Sequence, residues 1–167
     1  FVRGESFRQR IKKGPVPFEE SLAILRDVAA ALAYAHREGI VHRDIKPENI
    51  LLHEGTAVVT DFGIAKAIQA ARKEVRLDIT KPGDTIGTPM YMAPEQAASD
   101  PSMDQRADIY AWGVVAYELL TGRHPFAEHI SSPQNLLAAQ MSDTPRALSN
   151  TGSRVPRPVA ALVMRCL

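Results

Sequence analysis

The sequence predicts a mainly α-helical domain of the α+β class with small β hairpins. Two segments carry this prediction: apolar residues recur at helical spacing from Phe18 to Arg37, and Gln105 to Thr121 is apolar on nearly all sides. The chain has 167 residues, of which 45% are hydrophobic, and this is enough for one domain with its own core. We therefore expect a long amphipathic helix beside a buried central helix.

The predicted elements of the N-terminal half are shorter. Ser6 to Lys13 is expected to form a helix that the following Gly-Pro pair stops. Two β runs, Ile50 to Leu52 and Ala57 to Thr60, flank the turn-like residues 53–55 and predict a hairpin. Residues 65–92 are polar with little apolar periodicity, so we expect a long functional loop there.

In the C-terminal half, the central helix is followed by Gly122, which favours a helix end. Gln134 to Met141 and Arg157 to Leu167 predict two further helices. A connection rich in Pro, Ser and Asn separates them.

Charge and cysteine content exclude several function classes. Lys plus Arg is 20 and Asp plus Glu is 19, and no basic stripe is present, so we expect no nucleic-acid partner. The single cysteine, Cys166, permits no internal disulfide and fits a cytoplasmic location. The most apolar run, Ile109 to Leu120, is too short to span a bilayer, so we expect no membrane segment in this chain.

The most informative stretch is residues 42–49, with the sequence HRDIKPEN. Phosphoryl transfer from a nucleotide needs the groups that this stretch supplies: a carboxylate to accept a hydroxyl proton, a cation for the moving phosphoryl group, and an oxygen ligand for magnesium. Asp-Phe-Gly follows at residues 61–63 and Ala-Pro-Glu at residues 93–95. The three motifs in this order indicate one reaction class, which no single motif would establish.

These motifs resemble the catalytic loop, the metal-binding loop and the end of the activation segment of eukaryotic-type Ser/Thr protein kinases. Residues 87–96, GTPMYMAPEQ, are most similar to the bacterial branch. The resemblance covers residues 1–167 and implies the C-terminal lobe of a kinase domain. It makes residues 1–6 the hinge between lobes, 42–49 the catalytic loop and 61–95 the activation segment.

The resemblance implies transfer of the γ-phosphoryl group of ATP to Ser or Thr hydroxyls of protein substrates. Asp44 would be the catalytic base, and Lys46, the loop lysine of the Ser/Thr type, would neutralise charge on the γ-phosphoryl group. Asn49 and Asp61 would hold Mg²⁺, with Mn²⁺ as an alternative ion, since hard cations prefer oxygen ligands.

Two further residues are expected to contact the nucleotide. The resemblance places the backbone of Val2 against adenine and adds Leu51 to the nucleotide site. His42 and Phe62 are expected to pack in the core rather than to act in the chemistry.

Regulation is implied by Arg43, which precedes the base. In kinases switched by activation-loop phosphorylation, this arginine pairs with a phosphothreonine. Thr80 and Thr85 are the candidate acceptors, with Thr80 slightly favoured. Thr88 matches a threonine that bonds the base aspartate and the loop lysine, so we do not expect it to be phosphorylated.

Two acidic residues are expected to support the site. Asp108 resembles the helix aspartate that anchors the backbone of the catalytic loop. Glu95 normally pairs with an arginine beyond the last helix, which would lie past Leu167. Arg165 does not match that position, so we expect the pair to be missing.

The sequence contains no Gly-x-Gly-x-x-Gly motif, and the strand lysine and its helix glutamate are not found. We therefore expect the N-terminal lobe to be absent from this chain and to be its partner in the parent protein. We also expect negligible activity from the chain alone, because positioning of the phosphates provides most of the catalysis.

Two alternatives remain open on sequence. A small-molecule phosphotransferase also uses an aspartate, an asparagine and a second aspartate, but generally lacks the lysine at position 46 and the segment from Gly-Thr-Pro to Ala-Pro-Glu. A pseudokinase or signalling scaffold usually loses one of the residues at positions 44, 49 and 61, and all three are present. The missing half could still carry such a loss.

Overall fold

The structure is a computed structural model that describes residues 4–62, 89–152 and 154–167. Within these residues, the chain forms six α-helices and three β-strands. In chain order these are β1 (Glu5–Ser6), α1 (Phe7–Lys12), α2 (Phe18–Arg37), β2 (Ile50–His53), β3 (Thr56–Val59), α3 (Pro94–Ala97), α4 (Arg106–Thr121), α5 (Pro133–Ser142) and α6 (Arg157–Met164). Short 3₁₀ turns lie at Pro47–Asn49, Pro89–Tyr91, Ala127–His129 and Leu148–Asn150.

The core is built on α2 and α4, as the apolar periodicity predicts. α2 buries one face against α4, and the indole Nε1 of Trp112 on α4 donates to the Leu25 carbonyl on α2 at 3.1 Å. α4 is buried on most sides and ends at Gly122, whose φ of 73° lies in the left-handed region that glycine adopts without strain. The predicted long helix and buried central helix are both confirmed.

The strands form one three-stranded antiparallel sheet in the order β1-β2-β3. The predicted hairpin is confirmed, with a tight turn at Glu54 and Gly55, whose φ values of 47° and 81° are both positive. β1 pairs with the other edge of β2, with Glu5 opposite Leu52. The sequence did not predict β1, because two residues are too few to show periodicity.

Helix ends differ from the prediction mainly at the C-terminus. α6 stops at Met164 rather than at Leu167, and the last residues lie against α4. A Cβ placed on Gly113 of α4 would lie 2.7 Å from the Cβ of Cys166, so this close approach requires a glycine. Among the described residues, no helix is both long and apolar enough to cross a membrane.

Gly113→Ala should destabilise the fold by about 1–3 kcal/mol, because the added methyl group overpacks the contact between α4 and the C-terminal residues. Urea unfolding monitored by the fluorescence of Trp112 measures the change. The control is the double variant Gly113→Ala with Cys166→Gly, which removes the clashing Cβ and should recover part of the loss. An unchanged unfolding midpoint in Gly113→Ala would contradict the close contact.

Candidate active site

The backbone of the catalytic loop is held by one buried carboxylate. Asp108 lies in the first turn of α4 and is only 1% exposed. Its Oδ1 accepts the N–H of Arg43 at 2.7 Å, and its Oδ2 accepts the N–H of His42 at 2.8 Å. The Nε2 of His36 on α2 lies 2.8 Å from the same Oδ2 and donates to it. The carboxylate therefore joins the loop to both core helices.

Arg43 adopts a backbone conformation that is uncommon for a residue with a side chain. Its φ is 69°, in the left-handed region, which costs about 1–3 kcal/mol outside glycine. The peptide groups on both sides of this residue are fixed, because its N–H is bound by Asp108 and its carbonyl accepts Nε2 of Gln96 at 2.7 Å. The loop is thus held in one geometry by contacts from α4 and from α3.

Three of the predicted site residues meet at one carboxylate. The Asp44 Oδ2 accepts the Nζ of Lys46 at 2.7 Å and the Nδ2 of Asn49 at 3.0 Å. Asn49 Nδ2 also donates to the Asp44 carbonyl at 2.8 Å. The Asp44 side chain is 48% exposed, and its Oδ1 has no hydrogen bond from the described residues. One oxygen is therefore oriented by two donors while the other is left for an incoming group.

His42 is fixed in one neutral tautomer by the backbone around it. Its Nδ1 accepts the N–H of Asp44 at 3.2 Å, so the ring proton must sit on Nε2, which donates to the Thr60 carbonyl at 2.7 Å. The ring is fully buried, and Phe62 meets it edge-on at 4.6 Å between ring centroids. Phe62 itself remains 36% exposed. His42 thus orients Asp44 and Thr60 and does not face solvent.

Thr60, the residue before Asp61, is bonded to the backbone of Asn49. The N–H of Thr60 donates to the Asn49 carbonyl at 2.9 Å, and its hydroxyl donates to the same oxygen at 3.2 Å. Asp61 follows directly, with an exposed side chain and a φ of 64°. Because the amide nitrogen of Asn49 is bound to Asp44, its Oδ1 is the atom left to act as a ligand. An amide oxygen and a carboxylate are both ligands that suit a hard divalent cation.

The other predicted residues lie partly outside the described residues. Val2, Thr80, Thr85 and Thr88 fall in segments for which no placement is described. Leu51 is half-buried in β2, where it pairs with Val58 and Ser6.

Glu95 is half-buried in α3 and has no ion pair within the described residues. The hydroxyl of Tyr110 on α4 is buried near it without a hydrogen-bond partner in the described part of the chain. Burial, together with the charge of Glu95, raises the pKa of Tyr110, so the phenol stays neutral.

A charged network that the sequence did not predict lies beside the catalytic loop. Arg8 of α1 donates from Nε to Glu48 at 2.8 Å and from Nη1 to Glu118 at 3.0 Å, and its Nη2 donates to the Tyr91 hydroxyl. That hydroxyl donates in turn to Glu118, which is 9% exposed. Burial and the Glu118 carboxylate strongly raise the pKa of Tyr91. The signal in the sequence was Glu118, a carboxylate inside an apolar helix, which needs a buried cation.

Asp108→Asn should lower the free energy of unfolding by about 1–3 kcal/mol. The substitution replaces one carboxylate oxygen, which accepts a hydrogen bond, with an NH₂ group that can only donate and faces the backbone N–H groups of the loop. Chemical unfolding measures this loss. Asp104→Asn is the matched control, since Asp104 lies just before the same helix but is exposed. Similar losses in the two variants would show that the loop does not depend on Asp108.

The whole chain, residues 1–167, matches the family model described as protein kinase domain. It is 36% identical over 173 residues to the serine/threonine-protein kinase pkn2 of Myxococcus xanthus, covering 100% of this chain and 20% of that protein. It is 45% identical over 127 residues to PknL of Mycobacterium tuberculosis, covering 75% of this chain and 30% of the relative. PknB of Mycobacterium leprae is 36% identical over 169 residues, or 100% of this chain and 26% of the relative.

Proposed function

The chain belongs to the protein kinase domain family, and we propose that it is the C-terminal lobe of an ATP-dependent Ser/Thr protein kinase of bacterial type. The observation that carries this proposal is the Asp44 carboxylate, which is oriented by Lys46 and Asn49 through one oxygen and has no hydrogen bond from the described residues at the other. The curated relatives above are named serine/threonine-protein kinases, and the chain spans only 20–30% of their length. The activity of the parent protein is therefore part of the proposal.

Asp44 acts as the base in the proposed reaction. The hydroxyl of a substrate Ser or Thr binds Oδ1 of Asp44, and the hydroxyl oxygen attacks the γ-phosphorus of ATP. The bond between the γ-phosphorus and the β–γ bridging oxygen breaks, ADP leaves, and the hydroxyl proton passes to Asp44. Lys46, bonded to the other oxygen at 2.7 Å, would stabilise the moving phosphoryl group with its charge.

Kinases of this family generally use ATP with a divalent metal. In this chain, Asn49 Oδ1 and the Asp61 carboxylate are the oxygens that would hold Mg²⁺, or Mn²⁺ as an alternative. When bound, the ion neutralises charge on the phosphates. The proposal assigns adenine contact to the Val2 backbone and a further nucleotide contact to Leu51, which lies on the sheet next to the catalytic loop.

The proposed site needs groups that this sequence does not contain. A Gly-rich loop and a strand lysine would come from an N-terminal lobe, which would sit on the catalytic-loop side of this chain. Protein substrates and a cytoplasmic location complete the proposal. The chain on its own should then transfer phosphate at a negligible rate.

Asp44→Asn, made in the parent protein with its N-terminal lobe, should lower the rate of phosphate transfer to a protein substrate by about 10²–10⁴-fold, because the base is lost. Transfer of ³²P from ATP, followed by phosphoamino-acid analysis, measures the rate and identifies Ser or Thr. Glu54→Gln, in the exposed turn of the hairpin, is the control and should keep full activity. Unaltered transfer in Asp44→Asn would exclude this role.

Arg43 provides a second test, which concerns regulation. We expect active protein to carry phosphate on Thr80 or Thr85, and Arg43→Ala to remove the dependence of activity on that phosphate. Phosphopeptide mapping and activity before and after phosphatase treatment measure both effects. An active preparation with neither threonine modified would rule out this mode of activation.

A further inference from the structure

The carbonyl of Met90 is held by two side chains that the proposed chemistry does not use. Nε2 of His124 lies 2.7 Å from this oxygen, and Nε2 of Gln140 on α5 lies 3.0 Å from it. Met90 belongs to the 3₁₀ turn Pro89–Tyr91, which leads directly into α3 and the Ala-Pro-Glu motif. A backbone oxygen with two donors aimed at it fixes the position of the turn.

His124 is locked in the tautomer that this contact requires. Its Nδ1 accepts the N–H of Phe126 at 3.1 Å, and since an amide can only donate, the ring proton must be on Nε2. The side chain is 5% exposed, and burial lowers the pKa of His124 below the ordinary 6.5. At neutral pH, His124 is therefore an uncharged donor to the Met90 carbonyl.

Several charged groups face His124 from the surrounding elements. The rings of Tyr91 and His124 make a T-shaped contact at 6.0 Å between centroids, and the charges of Glu118 of α4 and Arg8 of α1 act on the imidazole in opposite directions. His124 also lines a cavity of about 930 Å³. The charged or titratable side chains that share this cavity are Tyr117, Arg123, Glu128, His129, Asp143 and Arg146.

The turn is connected to the catalytic loop by independent contacts. Tyr91 is bonded to Arg8, which also binds Glu48 of the catalytic loop, and Gln96 of α3 donates to the Arg43 carbonyl. The turn is therefore tied, through Arg8 and through α3, to the loop that carries Asp44.

Building on the proposed function, we propose that His124 is a positioning residue for the protein substrate. Through its bond to the Met90 carbonyl, shared with Gln140, it fixes the Pro89–Tyr91 turn as part of the surface that binds the acceptor peptide. It touches neither the nucleotide nor the transferred group. Its loss should therefore weaken peptide binding and leave ATP binding unchanged.

The primary test is His124→Phe in the parent kinase, since phenylalanine fills the space and donates no hydrogen bond. We expect the KM for a peptide substrate to rise about three- to tenfold, the change that corresponds to one neutral hydrogen bond, with the KM for ATP unchanged. His129→Phe is the matched control, because His129 lies on the same connection but is half-buried and points to Asp143 at 3.7 Å. An unchanged peptide KM, or equal rises in both KM values, would overturn the inference.

A rescue experiment uses the cavity beside His124. In His124→Ala, the space left by the ring opens towards the cavity of about 930 Å³, so added imidazole should lower the peptide KM again. The same imidazole should not affect His124→Phe, in which the space is filled. Rescue of both variants, or of neither, would contradict a role for the ring nitrogen.

The pH dependence has a definite sign. The neutral ring is the form that accepts from Phe126, and unfolded His124 binds protons at a higher pH than the folded side chain, so stability should fall as the pH drops below 6.5. Peptide kcat/KM should fall at a lower pH, where the folded ring becomes protonated. His124→Phe should lose this part of the fall, and a profile unchanged in that variant would count against the proposal. If the parent protein transfers no phosphate to any peptide, the proposed function fails instead. Faster hydrogen exchange at the Phe126 amide of His124→Phe would then still report the loss of the Nδ1 contact.

Discussion

The arrangement of the site depends on a buried carboxylate that takes no part in the proposed chemistry. Asp108 accepts two consecutive backbone N–H groups and a hydrogen bond from His36, so donors from the loop and from α2 hold the carboxylate in place. These bonds hold Arg43 in its strained conformation, and Asp44 follows it directly. Because α4 is buried on most sides, the position of Asp44 is tied to the core of the fold.

The two borders of the expected activation segment are held in the same way. Thr60 lies just before it and offers its carbonyl to His42, and Met90 near its end offers its carbonyl to His124. In both cases a buried neutral imidazole accepts from a nearby amide and donates across to the segment. Neutral bonds of this kind hold the backbone in place without adding a charge there.

The features that follow from the sequence are helices with a regular apolar period and contacts between residues that lie close together along the chain. The two core helices follow from apolar spacing, and Asp44, Lys46 and Asn49 lie within six residues, so their meeting requires only a tight loop. Contacts between distant segments could not be predicted: the Arg8 network joins four separate elements, and β1 exists only by pairing with β2. In the sequence, the charged residues of such contacts appear isolated, because only the tertiary packing brings their partners close.

The close packing at Gly113 also affects the reactivity of the thiol in the C-terminal residues. Cys166 is the single thiol of the chain, and its Cβ lies against the α4 backbone at a point where no side chain fits. Burial raises the pKa of Cys166 above its usual 9.0, and its Sγ donates to the Leu162 carbonyl at 3.4 Å, so the reactive thiolate is scarce while the contact lasts. Alkylation of this one, half-buried sulfur should therefore be slower in the folded chain than in the unfolded chain.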